Sequence, residues 1–289
     1  MSDAQLEVKQ ATMRFGGLKA LSEFSLTVKR GDLLGLIGPN GAGKTTAFNV
    51  LTGVYAPTTG EVLVSGTRVN GRRPHEINRL GLARTFQNIR LFKELTALDN
   101  VKVAVVANTR PLFSRELVGR LRRGSGSQRA GAKLLGAIDN YRDWWRAILG
   151  TGGFRQEEAD VTARASQLLE VMGLSARADE LAKNLPYGDQ RRLEIARALG
   201  TNPQVLLLDE PAAGMNTREK ADLMVLIRDL RDRFSLGILL IEHDMKLVMG
   251  ICERITVLDH GETIAVGTPA EVRANPKVIE AYLGEAAHA

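Results

Sequence analysis

The chain has 289 residues, with 39 Lys and Arg against 33 Asp and Glu, a formal charge of +6, and 44% hydrophobic and 5% aromatic residues. A chain of this length and apolar content buries a proper core without a disulfide or metal staple, which excludes a disordered chain and a disulfide scaffold. The single cysteine, Cys252, cannot form an internal bridge and reads as a small buried hydrophobe among apolar neighbours. The longest apolar stretches, such as 103–107 and 237–241, fall well short of the roughly 18 residues that span a bilayer. The start, MSDAQLEVKQ, has neither the basic beginning nor the apolar centre of a secretory signal, so a cytosolic location is the expectation.

In chain order, the first clear element is 33–37, an apolar run without polar alternation, which predicts a strand buried on both faces. Directly behind it stands Gly38-Pro39-Asn40-Gly41-Ala42-Gly43-Lys44-Thr45-Thr46, the pattern of Gly, four residues, then Gly-Lys-Ser/Thr. Its glycines let backbone N–H groups turn inward around a β-phosphate, and a helix opening near Lys44 adds its positive end. Lys44 would neutralise β- and γ-phosphate oxygens, and Thr45 would offer its hydroxyl to Mg²⁺. The expected ligand is therefore a phosphate chain with β- and γ-phosphates, bound with Mg²⁺.

The charge is local. Between 110 and 133 seven basic residues stand against one acidic residue, Glu116, and this excess equals the whole formal charge. The stretch includes Arg123-Gly-Ser-Gly-Ser-Gln, which reads as a flexible loop, and about 110–155 is treated as an insertion. Its later part, Tyr141-Arg-Asp-Trp-Trp-Arg-Ala-Ile-Leu, holds both tryptophans. Two readings stay open there: an amphipathic helix on a partner or membrane surface, or a helix packing its own aromatics inward.

Beyond the insertion, 205–208 and 238–241 repeat the buried-strand pattern, with Leu223, Ile227, Leu230 and Phe234 at helical spacing between them. Strands alternating with helices predict an α/β sheet, and in such sheets ligands sit outside the carboxyl ends of the strands. Asp209 and Glu210 follow the second run, and Glu242-His243-Asp244 follows the third. Asp209 is the candidate for holding Mg²⁺ through a water, and Glu210 for orienting or deprotonating the attacking water. His243 is placed to reach a γ-phosphate. An Asp-Glu pair or a lone His is more often solvated surface; the buried-strand runs before them and the earlier phosphate loop favour the functional reading.

With these residues in hand, the sequence resembles the ATP-binding subunit of an ABC transporter over nearly the whole chain. Gln87, in Arg84-Thr-Phe-Gln87-Asn, is similar to that family's glutamine loop, which senses Mg²⁺ and the attacking water while touching the membrane subunits. Leu185-Pro-Tyr-Gly188-Asp189-Gln190-Arg-Arg-Leu-Glu stands where the family keeps its signature loop, which closes over the ATP of a partner cassette. Phe15 is similar to the aromatic that stacks on adenine, the alternative being a core aromatic at the end of the first strand. The resemblance implies a P-loop NTPase core of α/β class with a mainly parallel sheet, a small antiparallel β subdomain and an inserted helical subdomain. Within one ABC ATPase domain over 1–289, it implies a core from 1–86 and 191–255, a helical subdomain over 87–190, and a C-terminal hairpin and helix over 256–289.

Longer stretches, including Ala83-Arg-Thr-Phe-Gln-Asn-Ile-Arg-Leu-Phe-Lys-Glu-Leu-Thr and Glu210-Pro-Ala-Ala-Gly-Met-Asn, resemble the larger ATPase subunit of bacterial branched-chain amino acid importers. That implies a second ATPase subunit, similar but non-identical or a second copy, two transmembrane permease subunits and, indirectly, a periplasmic binding protein. It also implies a peripheral position at the cytoplasmic face of the inner membrane, with no nucleic acid as partner. Urea and short-amide importers use similar ATPases and are the alternative, followed by a nucleic-acid-associated ABC ATPase. The insertion is expected to face anionic lipid or the transporter's cytoplasmic face, or to be a solvated loop.

The signature loop departs from the pattern: Pro186, with neither hydroxyl nor N–H, replaces the usual serine, and Asp189 adds a negative charge. Asn216, where the family often has Asp, reads equally as a helix cap with Glu219. The composite site served by this loop is expected to be the weaker of two. Pro186→Ser should raise ATP turnover of the assembled transporter, and an unchanged rate would overturn that expectation.

Overall fold

The computed structural model describes residues 4–109 and 152–286. The basic stretch 110–133 and the tryptophan segment 141–149 lie outside the described residues.

Leu33–Ile37 (β3), Val205–Asp209 (β7) and Gly237–Ile241 (β8) are the three expected strands, and every residue in them is buried. They are sheet neighbours in parallel register, within a six-stranded sheet of order β10-β9-β3-β8-β7-β6. β6 (Leu82–Arg84) extends one side in parallel, while β9 (Arg254–Asp259) joins β3 in parallel and pairs with β10 (Glu262–Gly267) as an antiparallel hairpin. Successive side chains of a strand point to opposite faces, so covering both faces requires the unbroken apolar runs seen in the sequence.

The two faces meet different layers. Leu33, Ile37, Leu206, Leu208, Ile238 and Leu240 join a core with the helical side of the molecule. Leu34, Leu36, Leu207, Leu239 and Ile241 join a second core with Phe48 of α1 (Lys44–Leu51) and the smaller sheet. That second sheet is antiparallel, of order β2-β1-β4-β5, built from Ala4–Phe15 (β1), Leu18–Lys29 (β2), Thr59–Val64 (β4) and Thr67–Arg68 (β5). Its strands alternate: in β2 Leu21, Phe24, Leu26 and Val28 are buried while their neighbours face outward. The expected antiparallel β portion is thus a separate layer lying over one face of the central sheet.

After the short α2 (Pro74–Asn78), helix α3 (Ala97–Thr109) packs against α4 (Gly152–Val171) and α5 (Tyr187–Gly200). α6 (Thr217–Phe234) buries Leu223, Ile227 and Leu230, as the helical spacing predicts. Its N-cap is a reciprocal box: Asn216 Oδ1 accepts from the amides of Arg218 and Glu219, and Glu219 accepts from the Asn216 amide. α7 (Met245–Ile251), α8 (Pro269–Ala274) and α9 (Pro276–Ala286) complete the chain. Among the described residues no helix is long and apolar enough to cross a membrane.

Helix α7 lies so close on β3 that a Cβ at Gly35 would fall 2.9 Å from Val248 Cγ1 and 3.2 Å from Cys252 Sγ. Burial in this contact pushes the Cys252 thiol up to about 12. The native chain should therefore resist iodoacetamide at pH 8, whereas the urea-denatured chain should be alkylated fully. Mass spectrometry after equal exposure reads the difference, and fast labelling of the native chain would contradict this packing.

Candidate functional site

Parallel register sets the site. Leu36 lies opposite Ile241, and Ile241 lies opposite Asp209, so β3, β8 and β7 end at one level. The three chain exits, 38–46, 210–216 and 242–244, therefore emerge side by side at one edge of the sheet.

The first exit is the phosphate-loop segment, wedged against β9 and its hairpin. A Cβ at Gly38 would fall 2.0 Å from the Leu258 carbonyl oxygen, and one at Gly43 2.7 Å from that of Ala20. Glycine is required at both positions by close backbone approach. The Ala42 carbonyl accepts from the Gly261 amide at 3.0 Å, tying the loop down. Lys44 donates from Nζ to the carbonyls of Gly38 at 2.6 Å and Pro39 at 2.7 Å, so its ammonium sits inside the curve of the loop. Helix α1 starts at Lys44 with Gly43 as its N-cap, which brings Thr45 and Thr46 into its first turn. Their orphan N–H groups and the helix dipole make this end suited to an anion.

The second exit carries the carboxylates. Glu210 turns the chain off β7 with φ 46, a left-handed conformation rare outside glycine and concentrated at functional sites. Its amide donates to the Ile241 carbonyl at 2.9 Å, which holds the strained turn to β8. Glu210 Oε2 accepts from Gln87 Nε2 at 2.8 Å and lies 3.7 Å from His243 Nδ1. Three residues far apart in sequence thus meet at one carboxylate oxygen. Glu242, next to His243, is buried and its carboxyl is pushed upward by desolvation, opposed by the Ala212 amide that donates to it at 2.8 Å.

Asp209 does not meet this group directly. Its Oδ2 accepts from Arg84 Nη2 at 2.6 Å, in an ion pair whose side chains are 8% and 9% exposed. Arg84 Nη1 also donates to Asn49 Oδ1 of α1 at 2.7 Å, and the guanidinium lies 5.4 Å and 5.2 Å from the rings of Phe48 and Phe86. Sequence reasoning missed Arg84. A basic residue ending a short strand was the only signal, and its meaning depends on β6 pairing with β7.

The remaining candidates are spread outward. Phe15 is 42% exposed and packs edge-on against Tyr55 at 5.2 Å, so it is a surface aromatic and not a core one. Pro186 is the N-cap of α5, followed by Gly188, Asp189 and Gln190 in the helix. Asp189 pairs with Arg177 Nε at 3.2 Å, which partly offsets the negative charge the sequence puts in this loop. Gln190 Nε2 donates to the Leu185 carbonyl at 2.8 Å and closes the loop on itself.

A sheet with a phosphate loop, a strained carboxylate and a histidine at one edge defines a nucleoside-triphosphate-hydrolysing cassette. The chain belongs to the ABC transporter family, whose model matches residues 21–213. Residues 262–288 match a second model, the branched-chain amino acid ATP-binding cassette transporter. The high-affinity branched-chain amino acid transport ATP-binding protein LivG of Salmonella typhimurium is 45% identical over 99% of this chain and 100% of its own length. BraF of Pseudomonas aeruginosa, of the same description, is 45% identical over the same shares. A solved ATP-binding cassette of an ABC transporter, MJ1267, superposes with a TM-score of 0.75 at 27% identity, covering 97% of this chain and 99% of that one. In its ADP conformation it gives 0.74 at 29% identity, covering 98% and 100%. The chain is thus an ATP-binding cassette with the α/β fold of this family.

Because Arg84 is the buried counter-charge of Asp209, Arg84→Met should cost about 3–5 kcal/mol of stability by leaving a buried carboxylate alone. Arg84→Lys should recover only part, since one ammonium cannot serve Asp209 and Asn49 in fork geometry or lie flat between two rings. Denaturant unfolding of the full chain measures both, and a near-native Arg84→Met would refute the counter-charge assignment.

Proposed function

We propose that this cassette powers the import of branched-chain amino acids through a membrane transporter, by binding and hydrolysing ATP at the edge built by 38–46, Gln87, Asp209, Glu210 and His243. The observation that carries the reaction is the convergence of Gln87 and His243 on Glu210 at the end of β7, beside the phosphate loop. For the cargo, support comes from the C-terminal match over 262–288 and the likeness to LivG and BraF. A lipopolysaccharide export relative from Acidithiobacillus ferridurans is less similar, at 33% identity over 91% of the chain.

In this reading the amides of 38–46 receive the β- and γ-phosphates, and Lys44 turns its ammonium from the loop carbonyls to phosphate oxygens. Phe15 stacks on the adenine. Thr45, Gln87 and Asp209 would hold Mg²⁺, Asp209 through a water because Arg84 occupies its Oδ2; this oxygen donor set suits an ion that keeps waters in its shell. When bound, Mg²⁺ would supply positive charge that offsets the charge of the phosphates. Glu210 takes the proton of the attacking water, while Gln87 and His243 orient that water and the γ-phosphate. Gly188, Asp189 and Gln190 of one cassette face the ATP of its partner, so two cassettes close on two nucleotides and drive two permease subunits. A periplasmic binding protein delivers cargo to the far side of the membrane.

The permease contact is assigned to a cavity of about 500 Å³ beside the glutamine loop, lined by Phe86, Arg90 and Phe92 among others. Its rim exposes Val54, Phe92 and Val103, apolar side chains unsuited to water. The cassette is then peripheral, on the cytoplasmic face of the inner membrane. Its units are the core over 1–86 and 191–255, the helical part over 87–190 and the C-terminal part over 256–289.

Glu210→Gln should lower turnover of the assembled transporter by about 10²–10⁴-fold while ATP still binds and holds the cassettes paired. A native rate would remove Glu210 as the base. Uptake of labelled leucine and urea by cells lacking this chain tests the cargo: leucine uptake should fall and urea uptake should not, and unimpaired leucine uptake would overturn the assignment.

A further inference from the structure

Helix α5, which opens with the signature loop, carries a buried ion pair for which the mechanism above has no use. Arg191 and Glu194 are both 2% exposed, and Arg191 Nη1 lies 3.3 Å from Glu194 Oε2. Burying two charges costs several kcal/mol per ion unless further hydrogen bonds satisfy them, so where those bonds go is informative.

They go to one segment. Arg191 Nη1 donates to the Phe86 carbonyl at 2.7 Å, and Nη2 donates to the Gln87 carbonyl. Glu194 Oε1 accepts from the Phe86 amide at 3.4 Å and the Arg90 amide at 3.3 Å. Four backbone groups of 86–90 are thus held by two side chains of α5. Desolvation pushes the Glu194 carboxyl upward, and the amides of Arg90 and Phe86 with the Arg191 charge oppose that rise. On its other side Arg191 donates to the Tyr187 hydroxyl, at 3.2 Å from Nε and 3.0 Å from Nη2. Tyr187 belongs to the signature loop, and the side chain of Gln87 ends on Glu210.

We propose that Arg191 and Glu194 are positioning residues: a clamp that fixes the glutamine loop against α5, so that movement of the signature loop on a partner's nucleotide is passed to Glu210 of the same chain. This rests on the assignment of Gln87 and Glu210 above. The linkage runs from Tyr187 through Arg191 to the backbone of Phe86 and Gln87, and from the Gln87 amide to the carboxylate. Every step is a hydrogen bond; Arg191 at the centre is buried, while Tyr187 and Gln87 at the two ends are exposed. A carboxylate base works only within hydrogen-bond reach of its water, and a misplacement of about 1 Å can cost roughly 100-fold in rate. Fixing a flexible loop at four backbone points is therefore worth the desolvation of two charges.

A structural role and a positioning role differ under replacement of both partners. Arg191→Met alone leaves Glu194 buried without its partner. The double variant R191M/E194L replaces the pair by apolar groups, which commonly restores stability, but it cannot hold the carbonyls and amides of 86–90. With the assembled transporter we expect both variants to lose about tenfold to 100-fold in kcat, with KM for ATP within about twofold of native, because the phosphate loop is untouched. We further expect the amides of Phe86 and Arg90 to exchange hydrogen faster in the double variant even where its melting temperature is native. Native kcat and native exchange in a stable double variant would overturn the clamp. Exchange in the full chain does not depend on which residue is the base. A native rate in Glu210→Gln would therefore sink the base assignment alone, while the exchange measurement still decides the clamp.

Discussion

The site depends on one constraint, the parallel register of β3, β8 and β7. Parallel strands cannot be joined by tight turns, so each connection must leave at the carboxyl end and return by a crossover. Because Leu36, Ile241 and Asp209 stand at one level, the three departing segments share an edge. The phosphate loop, the carboxylate turn and the histidine turn are therefore neighbours without any long-range side-chain design. Burial on both faces makes that register hard to shift, since a one-residue slip would exchange every side chain between the helical core and the Phe48 core.

On this frame the polar side chains face a different problem, which is burial. Arg84 with Asp209 and Arg191 with Glu194 are the two pairs at the site whose charges are almost wholly removed from water. Buried pairs contribute little net stability in general, yet losing one member is costly. Both pairs touch the ends of the same short stretch, since Arg84 ends β6 and the Arg191 pair holds 86–90. The glutamine loop is thereby pinned at its start to the strand of Asp209 and along its length to the helix of the signature loop. A loop anchored on both sides by geometry-demanding charges has a defined path.

This division also explains what could be read from sequence. Unbroken apolar runs at 33–37, 205–208 and 238–241 report burial on two faces, and burial is a local composition signal. The phosphate loop is legible because its glycines are demanded by backbone approach within a few residues. Asn216 and Glu219 are legible as a cap because the partners are three apart. Arg84 and Asp209 are 125 residues apart, and Arg191 lies more than a hundred from the carbonyls it serves. Nothing in local spacing marks such pairs, since their meaning comes from strand and helix neighbours that only the fold supplies. Asp189 fails for the same reason: its charge was visible, and its partner Arg177 was not.

The signature loop shows how a local departure can be absorbed. Proline at the N-cap of α5 has no N–H to leave unsatisfied and no side chain to cap the helix, so the first-turn amides of α5 lack the usual hydroxyl partner. The loop closes by other means, with Gln190 donating to the Leu185 carbonyl and the Gln190 amide donating to the Pro186 carbonyl at 2.9 Å. With Arg177 drawing the Asp189 carboxylate aside, Gly188 and the helix end present backbone donors without a competing hydroxyl. The anion-attracting character of this helix end rests on backbone donors and dipole, which ties it to the orientation of α5 as a rigid body. That orientation is what the buried Arg191 and Glu194 share with the glutamine loop.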